Sequence, residues 1–245
     1  MSAALLDEWL APQWRDPAQA RVRSLHAGPP RFAIADGILR PAKLKLLQEL
    51  VTALPMELDY PDLNYDAHAR RIDQELSAHG LEFFGSNEWH EWLAALIRVN
   101  LLNLGHTVIR ARRHCPGARG FWIHTDRDPQ KPKRLAALLY LNDHWCEGDG
   151  GVLQVWRTRA LTSSDVPCLQ YADYIGKELD FLVDASRINV HASAEEGLER
   201  VEATLEANIA PIANRLVVLD FVNDPCYHSV TPSNSLRKGL VQWLY

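Results

Sequence analysis

Cysteine is scarce in this chain and follows no pattern: Cys115, Cys146, Cys168 and Cys226 include no Cys-x-x-Cys pair. A zinc ribbon and a dense disulfide framework are thereby excluded, and free thiols in a reducing compartment are expected. Long apolar runs are missing as well. No stretch approaches the length needed to cross a bilayer, and the opening residues, Met-Ser-Ala-Ala-Leu-Leu-Asp-Glu-Trp, lack a basic segment followed by an apolar one. The expectation is a cytoplasmic protein without a membrane partner. Nor is positive charge in excess. At a formal net charge of -5 and a pI of about 6.1 there is no overall positive field to draw in a nucleic-acid backbone, so nucleic acid is not expected as a partner.

What the chain does have is core-forming material: 47% of its 245 residues are hydrophobic and 23% charged. Apolar residues recur at helical spacing over 3–10, 41–54 and 88–104, with Pro41 suited to a first helical turn. A short strand is expected within 31–40, and 59–65 reads as an irregular connection. From Thr107 the pattern changes to strands: alternation over 107–114, a turn at 115–120, then 121–126, a basic loop at 127–134 and a nearly continuous apolar run at 135–141. That last run predicts a strand buried on both faces. Residues 193–209 suggest a capped helix with Ser193 as N-cap and Glu195 and Glu196 in its first turn. Many short strands after 107 predict two packed antiparallel sheets. The expected organisation is one domain, with 1–106 as a mainly helical support and 107–245 as the core, carrying an insert at 157–213 that is a candidate lid or self-association surface.

The stretch that carries chemistry is 121–126, Phe-Trp-Ile-His-Thr-Asp. Alternation along a strand places Trp122, His124 and Asp126 on one face. A neutral nitrogen and an anionic oxygen from one rigid element suit a divalent metal. About a hundred residues on, His228 offers another nitrogen, and Arg237 follows at the start of an apolar run.

Taken with Tyr140-Leu-Asn142 and Gly150-Gly151-Val-Leu153, this series resembles the iron(II)- and 2-oxoglutarate-dependent oxygenases, specifically the prolyl-hydroxylase-like branch. The likeness covers roughly 107–153 and 214–245. It implies an α+β protein whose core is a double-stranded β-helix, or jelly roll, with supporting N-terminal helices. It implies iron(II) held by His124, Asp126 and His228, and 2-oxoglutarate held by Arg237, whose planar fork pairs with a carboxylate. Tyr140 and His114 fall at positions beside the 2-oxoglutarate, and Leu153 and Trp243 at positions that line its pocket. The implied activity consumes dioxygen, decarboxylates 2-oxoglutarate to succinate and carbon dioxide, and hydroxylates a prolyl residue, amino acid, peptide or small natural product, with ascorbate as an admissible reductant. Iron halogenases replace the carboxylate with a small residue, and Asp126 is intact, so hydroxylation is favoured.

Arg127, directly after Asp126, and Trp122 are candidates for substrate binding, whereas Lys238, beside Arg237, reads as a solvent-facing charge on the other side of the strand. Two readings from other classes stay open at this point: a non-catalytic jelly-roll module that binds a metal, and a cupin-type metalloenzyme independent of 2-oxoglutarate. Neither needs Arg237.

Overall fold

The structure is a computed structural model that describes residues 4–59, 67–100, 106–127, 133–165, 167–168, 187–194 and 197–245, with 187–194 and 197–198 described by backbone alone. The helices are α1 (Ala4–Trp9), α2 (Pro17–Ser24), α3 (Pro41–Ala53) and α4 (Asn87–Ile97). The strands are β1 (Leu25–His26), β2 (Phe32–Asp36), β3 (Glu57–Asp59), β4 (Ala67–Arg71), β5 (Thr107–His114), β6 (Phe121–His124), β7 (Leu135–Tyr140), β8 (Leu153–Ala160), β9 (Arg187–Ala194), β10 (Gly197–Ile209), β11 (Arg215–Asp220), β12 (His228–Val230) and β13 (Arg237–Leu244).

The helices start where their first residues dictate. Asp16 accepts a hydrogen bond from the Ala18 amide at 2.8 Å and Pro17 opens α2, while Pro41 opens α3. Ser86 caps α4 through the Trp89 amide at 3.2 Å, and Arg98, at φ 56, ends it. Along α4 the apolar stripe Trp89, Trp92, Leu93, Leu96 and Ile97 is buried, and the Trp89 and Trp92 rings stack at 5.3 Å.

Two sheets face each other. The larger runs β1-β2-β11-β7-β13-β5-β4-β3, and the smaller is a ring, β10-β8-β12-β6-β9. Side-chain parity explains the core. Leu135, Ala137 and Leu139 of β7 and Leu216 and Val218 of β11 pack against the helices, whereas Ala136, Leu138, Tyr140, Val217 and Leu219 point between the sheets. Strand β7 is therefore buried on both faces, as its apolar run predicts. The residues before 107 supply more than helices, because β1 to β4 extend the larger sheet at both ends.

The predicted helix at 193–209 is not formed. Its described residues lie in β9 and β10, which pair antiparallel, and β10 pairs in turn with β8. The pairing carries this: Val201 and Ala203 are buried on one face of β10, and a bulge between Leu205 and Ala207 turns Ile209 to the other, where it packs with Leu153 and Val155. Glu195 and Glu196, the acidic residues of the expected first turn, lie outside the described residues, while further along β10 Glu202 meets Arg159 at 3.0 Å and Glu206 meets Arg157 at 3.3 Å across to β8. Most of 165–186, and residues 60–66 of the predicted irregular connection, lie outside the described residues.

Lys238 is also not where the sequence suggests. It is on the face opposite Arg237, but that face is covered by α3, so the side chain is only 3% exposed and its ammonium donates to Asp143 at 2.6 Å and to Thr52 of α3 at 3.3 Å.

His90 gives the fold a pH dependence. Burial holds its pKa below the ordinary value of 6.5, only partly opposed by its hydrogen bond to the Phe84 carbonyl at 3.0 Å. Below pH 6.5 the unfolded chain gains a proton that the folded chain resists, so stability is full above that pH and falls as the pH drops toward the folded value. Urea unfolding between pH 7 and pH 5 is expected to show this loss, with a shallower slope in His90→Gln than in the parent. An unchanged slope would rule His90 out as its source.

Candidate active site

The inner faces of both sheets build one cavity of about 260 Å³, at the small end for ligand sites. Its walls include His124, Asp126, Leu153, His228, Arg237 and Trp243, together with Val108, Arg110, Arg112, Phe121 and Lys133. Strands β6 and β12 pair so that His124 stands opposite His228, and their rings come within 4.2 Å. Donor atoms of His124, Asp126 and His228 all lie within 4.8 Å of one another.

Both imidazoles are oriented by the same local device. Nδ1 of His124 is 2.6 Å from the Trp122 carbonyl, and Nδ1 of His228 is 2.9 Å from the Cys226 carbonyl. A carbonyl only accepts, so each Nδ1 carries the proton and each Nε2 offers its lone pair. Burial first, then repulsion from His124, pushes the His228 pKa down to about 4, leaving it neutral at ordinary pH. Burial acts to raise the Asp126 pKa, but Lys133, both histidines and the Trp243 indole outweigh it and hold the carboxyl well below the usual range. Trp243 donates from Nε1 to Asp126 Oδ2 at 2.6 Å, and the Lys133 ammonium stands 3.6 Å from Oδ1. Two imidazole nitrogens and one fixed anion form a donor set suited to iron(II) with positions left open.

Arg237 enters from the first position of β13. Its guanidinium lies over the Tyr140 ring at 5.1 Å, with Nη2 3.4 Å from the Tyr140 hydroxyl. It is 8% exposed, and its buried Nε has no hydrogen-bond partner among the described residues. A buried cation with an idle donor is costly unless an anion arrives. Gly151 makes the space. At φ +65, a Cβ there would sit 2.8 Å from Arg237 Cδ and 3.0 Å from Ser233 Oγ. The residues thus fit a keto acid whose distal carboxylate meets Arg237. Gly151→Ala is expected to weaken 2-oxoglutarate roughly tenfold through displacement of that side chain, since such backbone strain amounts to about 1–3 kcal/mol. Titration of the anaerobic iron(II) protein checks it, and an unchanged midpoint would show that Arg237 needs no such opening.

The structure gathers some of the residues singled out in the sequence and leaves others aside. His124, Asp126, His228, Arg237, Leu153 and Trp243 share the cavity; Tyr140 stands behind Arg237. His114 pairs in register with Arg237 and is 1% exposed, but it packs edge-on to Phe121 at 5.3 Å behind the cavity wall, and neither ring nitrogen has a hydrogen-bond partner among the described residues. Trp122 does not share the cavity face with His124. Three residues of β6 span two of β12 between the pairs His124–His228 and Phe121–Val230, and this bulge brings Phe121 to the cavity and turns Trp122 away. Arg127 is exposed outside the cavity, with Nη2 3.4 Å from the Val222 carbonyl. Arg110 and Arg112 were missed, although their alternation with Val108 on one strand is a readable sign that all three share a face.

A cavity between two facing β-sheets, with a two-histidine, one-carboxylate cluster at one place and a buried arginine at another, defines the class of metal-dependent jelly-roll oxygenases. Residues 110–245 match the family model described as the 2OG-Fe(II) oxygenase superfamily, and the chain belongs to that family. It is a 2-oxoglutarate-dependent dioxygenase with iron(II) and 2-oxoglutarate as cofactors. The non-catalytic module and the cupin-type enzyme are accordingly not favoured. No curated protein matches. Among solved structures it is similar to a prolyl-4-hydroxylase from Pseudomonas putida, at 17% identity and a TM-score of 0.55, over 99% of this chain and 97% of that one. It is also similar to a Trichoplax adhaerens prolyl hydroxylase in complex with a hypoxia inducible factor oxygen degradation domain peptide fragment, at 15% identity and a TM-score of 0.56, over 95% and 90% of the two chains. A third is HygX from Streptomyces hygroscopicus with nickel, 2-oxoglutarate and hygromycin B bound, at 10% identity and a TM-score of 0.52, over 87% and 82%. At these identities the likeness is one of fold, and the fold is prolyl-4-hydroxylase-like. No helix of the described residues is long and apolar enough to cross a membrane.

Proposed function

We propose that His124, Asp126 and His228 hold the iron, that Arg237 with the Tyr140 hydroxyl receives the distal carboxylate of 2-oxoglutarate, and that the substrate hydroxylated at this site is a peptide or small molecule. The observation that carries this reading is the convergence, in one cavity, of the His124, Asp126 and His228 cluster with a buried arginine whose Nε has no partner among the described residues.

When bound, the iron and keto acid supply the oxidative chemistry, with succinate and carbon dioxide as co-products. The chain's own residues set its geometry. The two carbonyl-anchored imidazoles present Nε2, and Trp243 fixes one oxygen of Asp126 by its indole N–H, which leaves the other oxygen for the metal. Arg237 would hold the distal carboxylate of the keto acid and so set its direction. Leu138, Leu153, Val230 and Val241 line the same cavity and exclude water from it. A prolyl residue of a peptide is one substrate consistent with the fold, as the Trichoplax neighbour is seen with a peptide, and HygX, seen with hygromycin B, exemplifies the small-molecule alternative.

The test is the visible absorption of anaerobic protein after iron(II) and then 2-oxoglutarate. Bidentate chelation of the metal by the keto acid is expected to give a weak charge-transfer band, and admission of air to give succinate. Iron binding without the band would sink these assignments.

A further inference from the structure

We infer that Thr125, the middle residue of the His-Thr-Asp stretch, is a positioning residue that holds the metal ligands in register before any metal arrives; this rests on the reading above, in which His124, Asp126 and His228 are those ligands. His124 and His228 stand on paired strands, but Asp126 does not. Among the described residues the pairing of β6 ends at His124, and Asp126 lies two residues on, in the loop that leaves the strand. The ladder does not continue past that pair in regular form. Cys226, two residues before His228, sits at φ 47, outside strand geometry, and Pro225 before it has no N–H to donate. A side chain supplies the missing rung. The Thr125 hydroxyl donates to the Pro225 carbonyl, and its oxygen accepts from the Arg127 amide at 3.2 Å. The partners settle the direction, since a carbonyl only accepts and an amide N–H only donates.

Each of the two bonds serves a different ligand. The one from Arg127 closes a turn with Asp126 at its apex, and so fixes the backbone from which that carboxylate projects. The one to Pro225 grips the loop whose next carbonyl, that of Cys226, receives Nδ1 of His228 at 2.9 Å. Asp224 steadies the same loop by accepting from the Cys226 amide at 2.7 Å. A single hydroxyl therefore joins the mounting of Asp126 to the mounting of His228, across 100 residues of chain. The Trp243 indole fixes the far end of the Asp126 side chain from the larger sheet, whereas Thr125 fixes its root. Without the hydroxyl, the metal itself has to order the Asp126 loop. A cost of that kind appears as lost metal affinity, roughly 10- to 100-fold for groups that orient ligands.

A hydroxyl that merely ties two loops together lowers the stability of the metal-free protein and leaves the metal affinity of the folded protein alone, and this separates the two roles. Thr125→Val removes the hydroxyl at nearly constant shape, and Thr125→Ser keeps it. Each protein is titrated calorimetrically under nitrogen with iron(II), and with nickel(II), which such donors hold more tightly, so that weakened variants stay measurable. Thr125→Val is expected to bind both metals about ten-fold or more weakly than the parent, and Thr125→Ser to within about three-fold of it. Where valine impairs folding, judged by circular dichroism, Thr125→Ala carries the same expectation. In an Asp126→Asn background the loss of the hydroxyl is expected to cost about a third or less of its fold-effect in the parent, because the carboxylate it places is already gone. Parent-like affinity in Thr125→Val overturns the proposal and leaves the three ligands standing, whatever the urea midpoint. So does a serine variant no better than valine, and so does an equal cost of valine in both backgrounds. A parent protein that binds neither metal brings down both readings.

Discussion

Replacing Arg237 with glutamine is expected to weaken 2-oxoglutarate by roughly 30- to 5,000-fold, the equivalent of about 2–5 kcal/mol for truncating one partner of a buried ionic pair. The same change is expected to leave the unloaded protein at least as resistant to urea. The two effects part because the guanidinium is buried before any ligand arrives, with an Nε that has no partner among the described residues. Most buried arginines are matched by a carboxylate of their own chain, and losing them destabilises the fold. Here the match is assigned to the ligand, so stability and binding move in different directions. Titration of 2-oxoglutarate into the anaerobic iron protein reads the first effect, and a urea midpoint reads the second. A variant that binds the keto acid normally, or one that unfolds much earlier while still binding it, would remove Arg237 from the cofactor site.

Asp126→Asn is expected to bring succinate formation down roughly 10³-fold, on the scale of the 3–5 kcal/mol lost when one partner of a buried charge pair is neutralised. Its cause is specific to the local geometry. The amide oxygen of asparagine still accepts from Trp243 Nε1, so the loop stays in place. What disappears is the one negative charge among the three proposed ligands and the partner of Lys133. Iron content after dialysis, measured beside activity, separates loss of metal from misfolding. Retention of both iron and activity would assign the carboxylate a merely structural part.

Much of this site was legible in the sequence because its pieces obey short-range rules. His124 and Asp126 are two apart at the end of one strand, and Arg237 lies nine residues beyond His228, across one turn. The run 135–141 gave β7 its place because only a strand with a sheet face on each side tolerates such continuity. Four readings needed the tertiary structure. The bulge that redirects Trp122 exists only in the pairing of β6 with β12, and a single strand read at period two carries no sign of it. Lys238 looks solvent-facing until α3 covers that side of β13 and supplies Thr52. Residues 193–209 combine acidic and apolar residues at spacings that suit either period, and the arginines of β8 settle the matter in favour of a strand. Asp59, whose carboxylate meets Arg112, is 53 residues from it along the chain, and only the junction of β4 with β5 brings β3 within reach.

The ligand set and Arg237 belong to different sheets: β6 and β12 to the smaller, β13 to the larger. On the proposed assignments, a keto acid that touches the metal at one end and Arg237 at the other would act as a removable rivet through the sandwich. Metal alone reinforces one layer, whereas metal plus keto acid joins the layers, and by linkage the gain grows with the logarithm of keto acid concentration. On the same assignments, resistance to heat or protease is then expected to rise with 2-oxoglutarate concentration once the metal is bound.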